Sequence, residues 1–385
     1  MDFTYPTDAE AFRAEFRSWL DKNLTDEFSG LPFRGQPSDD ELARLKRWNA
    51  LLADDGYAAI SWPVEHGGRG ASVMEQVVFA EECSRAATPT LLNPIGLANI
   101  APSIMAFGTQ EQKDRFLRPM MRGDEIWCQG FSEPDAGSDL AALSMKAEAD
   151  GDGWLVTGQK VWNTYGHLAQ WCELLVRTNP TAPKHKGITC MLVDMTLPGI
   201  EVRPLRTPTG ECEFNEIFMD QVRVPRDALL GEIDCGWTVA MATLGFERGG
   251  VASLHLQLRR RIRHLLNHAT EIGAASDPIV RQRLADLYSA GERLRLLADR
   301  AITRAAQGLP PGPESSLVKL AWSTLSQQVP LVAAEIYGLD ALGGTWAHDM
   351  LQSRSSTIAG GTTEVNKNIV AERVLGLPRD PSPAR

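Results

Sequence analysis

The stretch Phe131-Ser132-Glu133-Pro134-Asp135-Ala136-Gly137-Ser138-Asp139 mixes Pro, Gly and small hydroxyl residues. A turn of that make-up brings backbone N–H groups close to a ligand. Alone it reads equally well as an ordinary loop. Further along, Gly158-Gln159-Lys160-Val161-Trp162-Asn163-Thr164 places a Trp and a Thr at the end of a strand-like run. The indole can lie against a planar heterocycle, and the Thr hydroxyl can donate to a ring nitrogen or oxygen. A Trp that only packs a barrel is the alternative.

A third candidate is Glu247. The run after Trp237 has an apolar stripe at Ala240, Leu244, Val251, Leu254, Leu258, Ile262 and Leu265. Stepping by three and four from Leu244 to Val251 lands on Glu247, so the spacing puts this carboxylate with the buried face of one continuous helix. A buried carboxylate either finds a cation, with Arg248 the nearest in sequence, or has its pKa raised. A raised pKa suits a general base working near neutral pH. Gly249 and Gly250 follow directly, and each costs a helix about 1 kcal/mol against Ala. Something there needs the room.

These residues sit in three stretches of different character. From Asp8 to about Arg122 the pattern is helical, with Phe12, Phe16, Trp19 and Leu20 at helical spacing. Thr109 followed by Gln112 reads as a capping box opening a helix. From Ile126 to about Leu230, short strand-like runs are separated by Gly and Pro: Leu174–Val176, Ile188–Val193, Ile200–Val202 and Ile217–Met219. Gly158-Gln159 between Trp154–Thr157 and Lys160–Trp162 reads as a hairpin turn. The whole reads as a small barrel or sandwich of roughly 100 residues. From Trp237 to Leu375 the chain is helical again, with a loop at Pro310-Pro311-Gly312-Pro313, and Arg259-Arg260-Arg261 reads as a solvated face. The expected architecture is α+β: a helical domain over 1–125, a β domain over 126–232 and a helical bundle over 233–385.

The 385 residues carry a net charge of −10, which disfavours non-specific binding to nucleic acid or anionic membranes. None of the six cysteines forms a C-x-x-C pair or lies at metal-ligand spacing from a histidine, so a metal site or disulfide framework is not expected. The first twenty residues lack the basic-then-apolar order of a signal peptide, and no apolar run reaches the ~18 residues of a membrane span. A cytoplasmic location is the expectation.

Together the loop at 131–139 and the strand end at 158–164 resemble, in order and spacing, the flavin-binding pair of the acyl-CoA dehydrogenase family. Further stretches are similar to the family's landmarks: Trp62-Pro63-Val64-Glu65-His66-Gly67-Gly68, Gly108–Lys113, Val222-Arg223-Val224-Pro225, Leu342-Gly343-Gly344 and Gly360-Gly361-Thr362-Thr363-Glu364-Val365. The resemblance spans essentially the whole chain. It implies an N-terminal helical domain, a central β-barrel domain and a C-terminal four-helix bundle. It implies FAD, lined by Phe131, Ser132 and Ser138, with Trp162 and Thr164 on the ring and Thr362 and Glu364 near the adenosine end. It implies α,β-dehydrogenation of an acyl-CoA thioester to a trans-2-enoyl-CoA, with electrons passed on to an electron-transfer flavoprotein or similar acceptor.

In many members the base is a Glu just before the C-terminal Gly-Thr; here that position is Gly360. The isovaleryl-CoA and long-chain members resemble this chain in placing the Glu on the helix after the β domain, directly before an Arg. The resemblance thus implies Glu247 as base, with Ser138, Arg248 and the backbone N–H of Gly360 on the substrate. Two features depart from the family. The Arg-x-x-Phe-Gly arm that reaches a neighbouring subunit's FAD is missing from 271–278, and Asp340 stands where Gln is frequent. A homo-oligomer, dimer or tetramer, is the first expectation and a hetero-oligomer the second. The other readings are a flavin-dependent relative with different chemistry (desulfinase, oxidase or monooxygenase) and a partner subunit that completes another chain's site.

Overall fold

The computed structural model describes residues 4–31, 35–247, 254–309 and 312–379. Helices α1 (Thr7–Asn23), α2 (Asp39–Asp54), α3 (Val73–Ala86), α4 (Ala101–Phe107) and α5 (Gln110–Arg122) come first. Strands β1 (Trp127–Gly130), β2 (Lys146–Asp150), β3 (Gly153–Val161), β4 (Trp171–Arg177), β5 (Ile188–Asp194), β6 (Ile200–Leu205) and β7 (Phe214–Pro225) follow. The chain then returns to helix: α6 (Gly236–Glu247), α7 (Leu254–Glu271), α8 (Pro278–Ala306), α9 (Glu314–Tyr337), α10 (Gly344–Gln352) and α11 (Thr363–Arg373). Among the described residues no helix is long and apolar enough to cross a membrane.

The chain divides into two compact units. One comprises Ala11–Ser72 and Ala86–Glu247; the other comprises Met1–Glu10, Val73–Arg85 and Arg248–Arg385.

In the first unit the helices start where their caps dictate. Thr109 accepts the amide of Gln112, and the Gln112 side chain accepts the amide of Thr109, which satisfies two orphan donors of α5. Phe16 and Trp19 of α1 pack with Tyr57 and Trp48 in an aromatic cluster. The strands form one sheet in the order β1-β4-β2-β3-β7-β6, with β5 on β4. β1 and β4 run parallel, so Gln129 is in register with Glu173, while β2–β3, β3–β7, β4–β5 and β6–β7 are antiparallel. Cys128, Ala147, Val156, Leu174, Val193 and Ile217, from six different strands, share one buried cluster, with Val202 of β6 packed against it. One face of every strand thus meets in a single interior, which is the curled, barrel-like sheet expected.

Gly158-Gln159 is not a hairpin turn. It lies inside β3, where the register against β7 slips between Val156 and Gly158. Gly158 has φ +152°, and a Cβ there would meet Met145 Cα at 2.8 Å. A lone Gly in a strand is as much the mark of a bulge as of a turn. The turn joining β2 to β3 lies instead at Gly151-Asp152.

In the second unit, α9 packs against α7, α8, α10 and α11. Leu258, Ile262 and Leu265 of α7 meet Leu287 and Leu294 of α8 and Val318, Leu325 and Val329 of α9 in one core. The Arg259–Arg261 run is less free than the solvated face expected: Arg259 pairs with Glu292, Arg261 pairs with Asp349, and Arg260 donates to Ser84 O. Pro310 and Pro311 lie outside the described residues.

Candidate active site

The two motifs of the first unit are tied together by a buried ion pair. Glu133 opens a tight turn in which its amide donates to Ala136 O at 3.1 Å and the Ala136 amide returns a bond to Glu133 O at 3.0 Å. Its carboxylate turns inward. It accepts from the Ser144 amide at 2.6 Å, Ser144 Oγ at 2.8 Å, the Met145 amide at 2.9 Å and Lys160 Nζ at 2.8 Å. Lys160 is fully buried and donates also to Phe131 O at 3.0 Å. The Val161 amide donates to Ser132 O at 3.0 Å. The loop at 131–133 is therefore fastened to the end of β3 by side chains and backbone alike. Burial pushes the Glu133 carboxyl up, but the Lys160 ammonium and the bonds from Lys160, Met145 and Ser144 outweigh it and hold the group below the usual carboxylate range. Burial pulls the Lys160 ammonium down, against the attraction of Glu133. Sequence reasoning missed both residues, although Glu133 and Lys160 stand inside the two motifs it singled out.

Past Val161 the chain enters a left-handed turn at Trp162, φ +64°. For a bulky residue that conformation is strained by about 1–3 kcal/mol. The backbone then re-pairs with the far strand: the Asn163 amide donates to Asn215 O at 3.0 Å and the Tyr165 amide to Glu213 O at 2.8 Å. The Trp162 indole stands 61% exposed, with one edge-on contact to Phe214. Thr164 and Ser132 are half-buried and Ser138 is exposed. Phe131 differs: its side chain is buried, and its carbonyl is taken by Lys160. An exposed aromatic plane in a strained backbone, with hydroxyls at the same strand ends, is a donor set that fits a flavin.

The second unit carries the C-terminal motif. Gly360 and Gly361 are both left-handed, at φ +66° and +89°. Two such residues in succession suit glycine alone at little cost. Thr362 then caps α11, its side chain accepting the Val365 amide at 3.2 Å, and Glu364 is exposed in the first turn. The turn before Gly360 is held from α9: buried Lys319 donates to Ser356 O at 2.6 Å, and Ser323 Oγ donates to the same carbonyl at 2.7 Å. Asn366 Nδ2 closes the motif by donating to Gly361 O at 2.8 Å. Lys319, Ser323 and Asn366 were not found from the sequence, since nothing in their spacing separates them from core or surface positions.

Glu247 is the last residue of α6, in the first unit. Its neighbours Arg248, Gly249, Gly250 and Val251 lie outside the described residues. The continuous helix expected from Trp237 to Leu265 is described as α6 and α7. The buried face of α6 differs from the one read in the sequence: Val239, Ala240 and Thr243 are fully buried, and Leu244 is only half-buried. The helix is apolar nearly all round, so its pattern does not single out a face. Among the described residues no group of three His, Cys, Asp or Glu could hold a metal ion.

Three family models match in succession: "Acyl-CoA dehydrogenase, N-terminal domain" over residues 6–124, "middle domain" over 128–222 and "C-terminal domain" over 234–375. Acyl-CoA dehydrogenase IpdE1 of Mycobacterium tuberculosis is 40% identical over 383 residues, covering 97% of this chain and 99% of that protein. Among solved structures, the Tcur3481-Tcur3483 steroid ACAD superposes with a TM-score of 0.88 at 29% identity, covering 99% of this chain and 100% of that one. The ChsE4-ChsE5 complex from Mycobacterium tuberculosis gives 0.85 at 30% identity, covering 99% and 100%.

Proposed function

Because the chain belongs to the acyl-CoA dehydrogenase family, and is thus an oxidoreductase, we propose that it desaturates an acyl-CoA thioester between its α- and β-carbons, with Glu247 as the base. The observation that carries this reading is the pair of locked motifs, which presents Trp162 as an exposed plane and leaves Ser132, Ser138 and Thr164 as hydroxyl contacts. FAD is the cofactor these residues would hold; when bound, it supplies the acceptor for the hydride that leaves the β-carbon. Thr362 and Glu364 would serve its adenosine end.

The chain's own residues do the acid–base work. Glu247 takes the α-proton. The backbone N–H of Gly360 donates to the thioester oxygen, lowering the cost of the charge that develops there as the proton leaves. Ser138 and Arg248 contact the substrate. With Gly at 360 the usual base position has no side chain, which is the reason for assigning the task to α6. An electron-transfer flavoprotein or similar acceptor would reoxidise the enzyme.

The sequence has glycine, which carries no side chain to fill space, at 249, 250, 360 and 361. Together with the similarity to a steroid ACAD, this supports a branched, long or polycyclic substrate. The test is anaerobic bleaching of the FAD-loaded protein by a panel: butyryl-, hexanoyl-, isovaleryl- and palmitoyl-CoA, and a CoA thioester carrying a steroid ring system. Bleaching is expected with highest kcat/KM among the last three, and without oxygen uptake in air. A best substrate of butyryl- or hexanoyl-CoA contradicts the preference. Rapid oxygen uptake points instead to an oxidase or monooxygenase.

A second reading, a subunit of a hetero-oligomer, is favoured by the similarity to the ChsE4-ChsE5 complex and by the missing Arg-x-x-Phe-Gly arm. A flavin-poor, inactive chain rescued only by a co-expressed homologue would support it.

A further inference from the structure

Glu173 is fully buried on β4, yet among the described residues no cation acts on it. Its strand neighbours Cys172 and Leu174 point into the sheet interior, so by alternation Glu173 faces the other way. Its Oε1 lies 2.9 Å from Thr243 Oγ1 on α6, and its Oε2 lies 3.4 Å from Gln129 Nε2 on β1. Cys190 Sγ of β5 approaches Oε1 at 4.0 Å. Thr243 Oγ1 is also 2.7 Å from Ser103 Oγ on α4 and 3.1 Å from Val239 O; Ser103 Oγ is 3.2 Å from Asn99 O. All these residues belong to one compact unit.

The hydroxyls of Thr243 and Ser103 have one proton each, but they face four oxygen contacts, two of them to backbone carbonyls. A carboxyl proton on Glu173 adds a third donor: Glu173 donates to Thr243, freeing Thr243 for Val239 O and Ser103 for Asn99 O or for Thr243. The network thus accommodates a neutral acid. Among the described residues no cation acts on Glu173, and burial pushes its carboxyl up to about 7, against the bonds that Thr243 and Gln129 donate to it when it is charged.

The consequence lies in α6. In the described part of its last turn, Thr243 alone is fully buried; Leu244 and Gly245 are half-buried, and Phe246 is 40% exposed. Gly245 has open space where a side chain would be. Apolar burial of the described side chains in this turn is partial, and glycine loosens it. The polar clamp at Thr243 does hold it, four residues before Glu247 ends the helix. We propose that Glu173 is a positioning residue: its buried carboxyl grips Thr243, fixes the final turn of α6 and so aims the base at position 247. The inference rests on the reading of Glu247 given above.

The test uses FAD-loaded holoenzyme and the panel member that bleaches wild type fastest, in anaerobic single turnovers. Thr243→Val removes the hydroxyl at constant shape, Glu173→Leu removes the grip, and Glu173→Gln keeps a neutral donor. Thr243→Val and Glu173→Leu should each slow flavin reduction at saturating thioester by on the order of 10-fold or more, the scale of a misaimed catalytic group. The half-saturating concentration should change little. The double variant should be no slower than the worse single one, because the two act through one bond. Glu173→Gln should recover most of the rate.

Wild-type reduction rates in folded, flavin-loaded Thr243→Val would overturn the proposal, as would losses that multiply in the double variant. If Glu173→Leu does not fold, Thr243→Val decides by itself. Slow reduction in Glu247→Gln beside a normal Thr243→Val rejects the positioning role alone. Near-normal reduction in Glu247→Gln rejects the base itself.

Discussion

Two carboxyl groups buried within the β sheet region meet opposite fates, and the difference is one of neighbours. Glu133 has an ammonium and three other donors, so it stays charged in spite of burial. Removing the Lys160 charge would leave an uncompensated buried ion, the expensive way to break such a pair. Glu173 has weaker partners and, among the described residues, no cation, and burial raises it to about 7 from an ordinary 4.5. The folded protein therefore binds more protons than the unfolded chain between those values. Stability contributed by the neutral acid is fully present below about pH 4.5 and is lost as pH rises through about 7, an effect of about 3 kcal/mol. Glu173→Gln lacks that dependence. Denaturant unfolding of the two proteins should show the variant gaining on wild type steadily from pH 5 to pH 8. A stability difference that does not change with pH would mean that Glu173 keeps its charge in the fold.

At the level of elements, the sequence was readable where local chemistry is strong. The Thr109–Gln112 capping box and the strands at Leu174, Ile188, Ile200 and Ile217 are all present. Misreadings arose where one residue type serves two purposes. Gly158 could mark a turn or a bulge, and only the register against β7 decides, because that pairing lies far off in sequence. α6 is apolar on nearly every side, so Leu244 looked like the buried position; Thr243 occupies it because Glu173 and Ser103 satisfy its hydroxyl. Those partners come from a strand and a helix distant in the chain. The motifs at 131–139 and 158–164 stood out as a pair, but the Glu133–Lys160 lock between them did not, since a Glu in a loop and a Lys in a strand carry no sign that they meet. The left-handed backbone of Trp162 was not legible, because nothing in the sequence requires that strain.

At the scale of the molecule, the C-terminal unit exposes large apolar side chains next to its glycine motifs: Leu339 at 83%, Leu342 at 68% and Ile358 at 66%. Exposed apolar side chains of that size suit burial in an interface. An assembly of at least two subunits is expected, and light scattering on flavin-loaded protein checks it; a monodisperse monomer that turns over substrate would contradict both the homo- and the hetero-oligomeric versions. The central claim concerns chemistry rather than assembly. It is tested most directly by anaerobic stopped-flow reduction of the Glu247→Gln holoenzyme, with its FAD content matched to wild type. The account predicts intact flavin binding and reduction slower by at least ~100-fold, the scale of a lost general base. Reduction at close to the wild-type rate would contradict it and return the α-proton to another group.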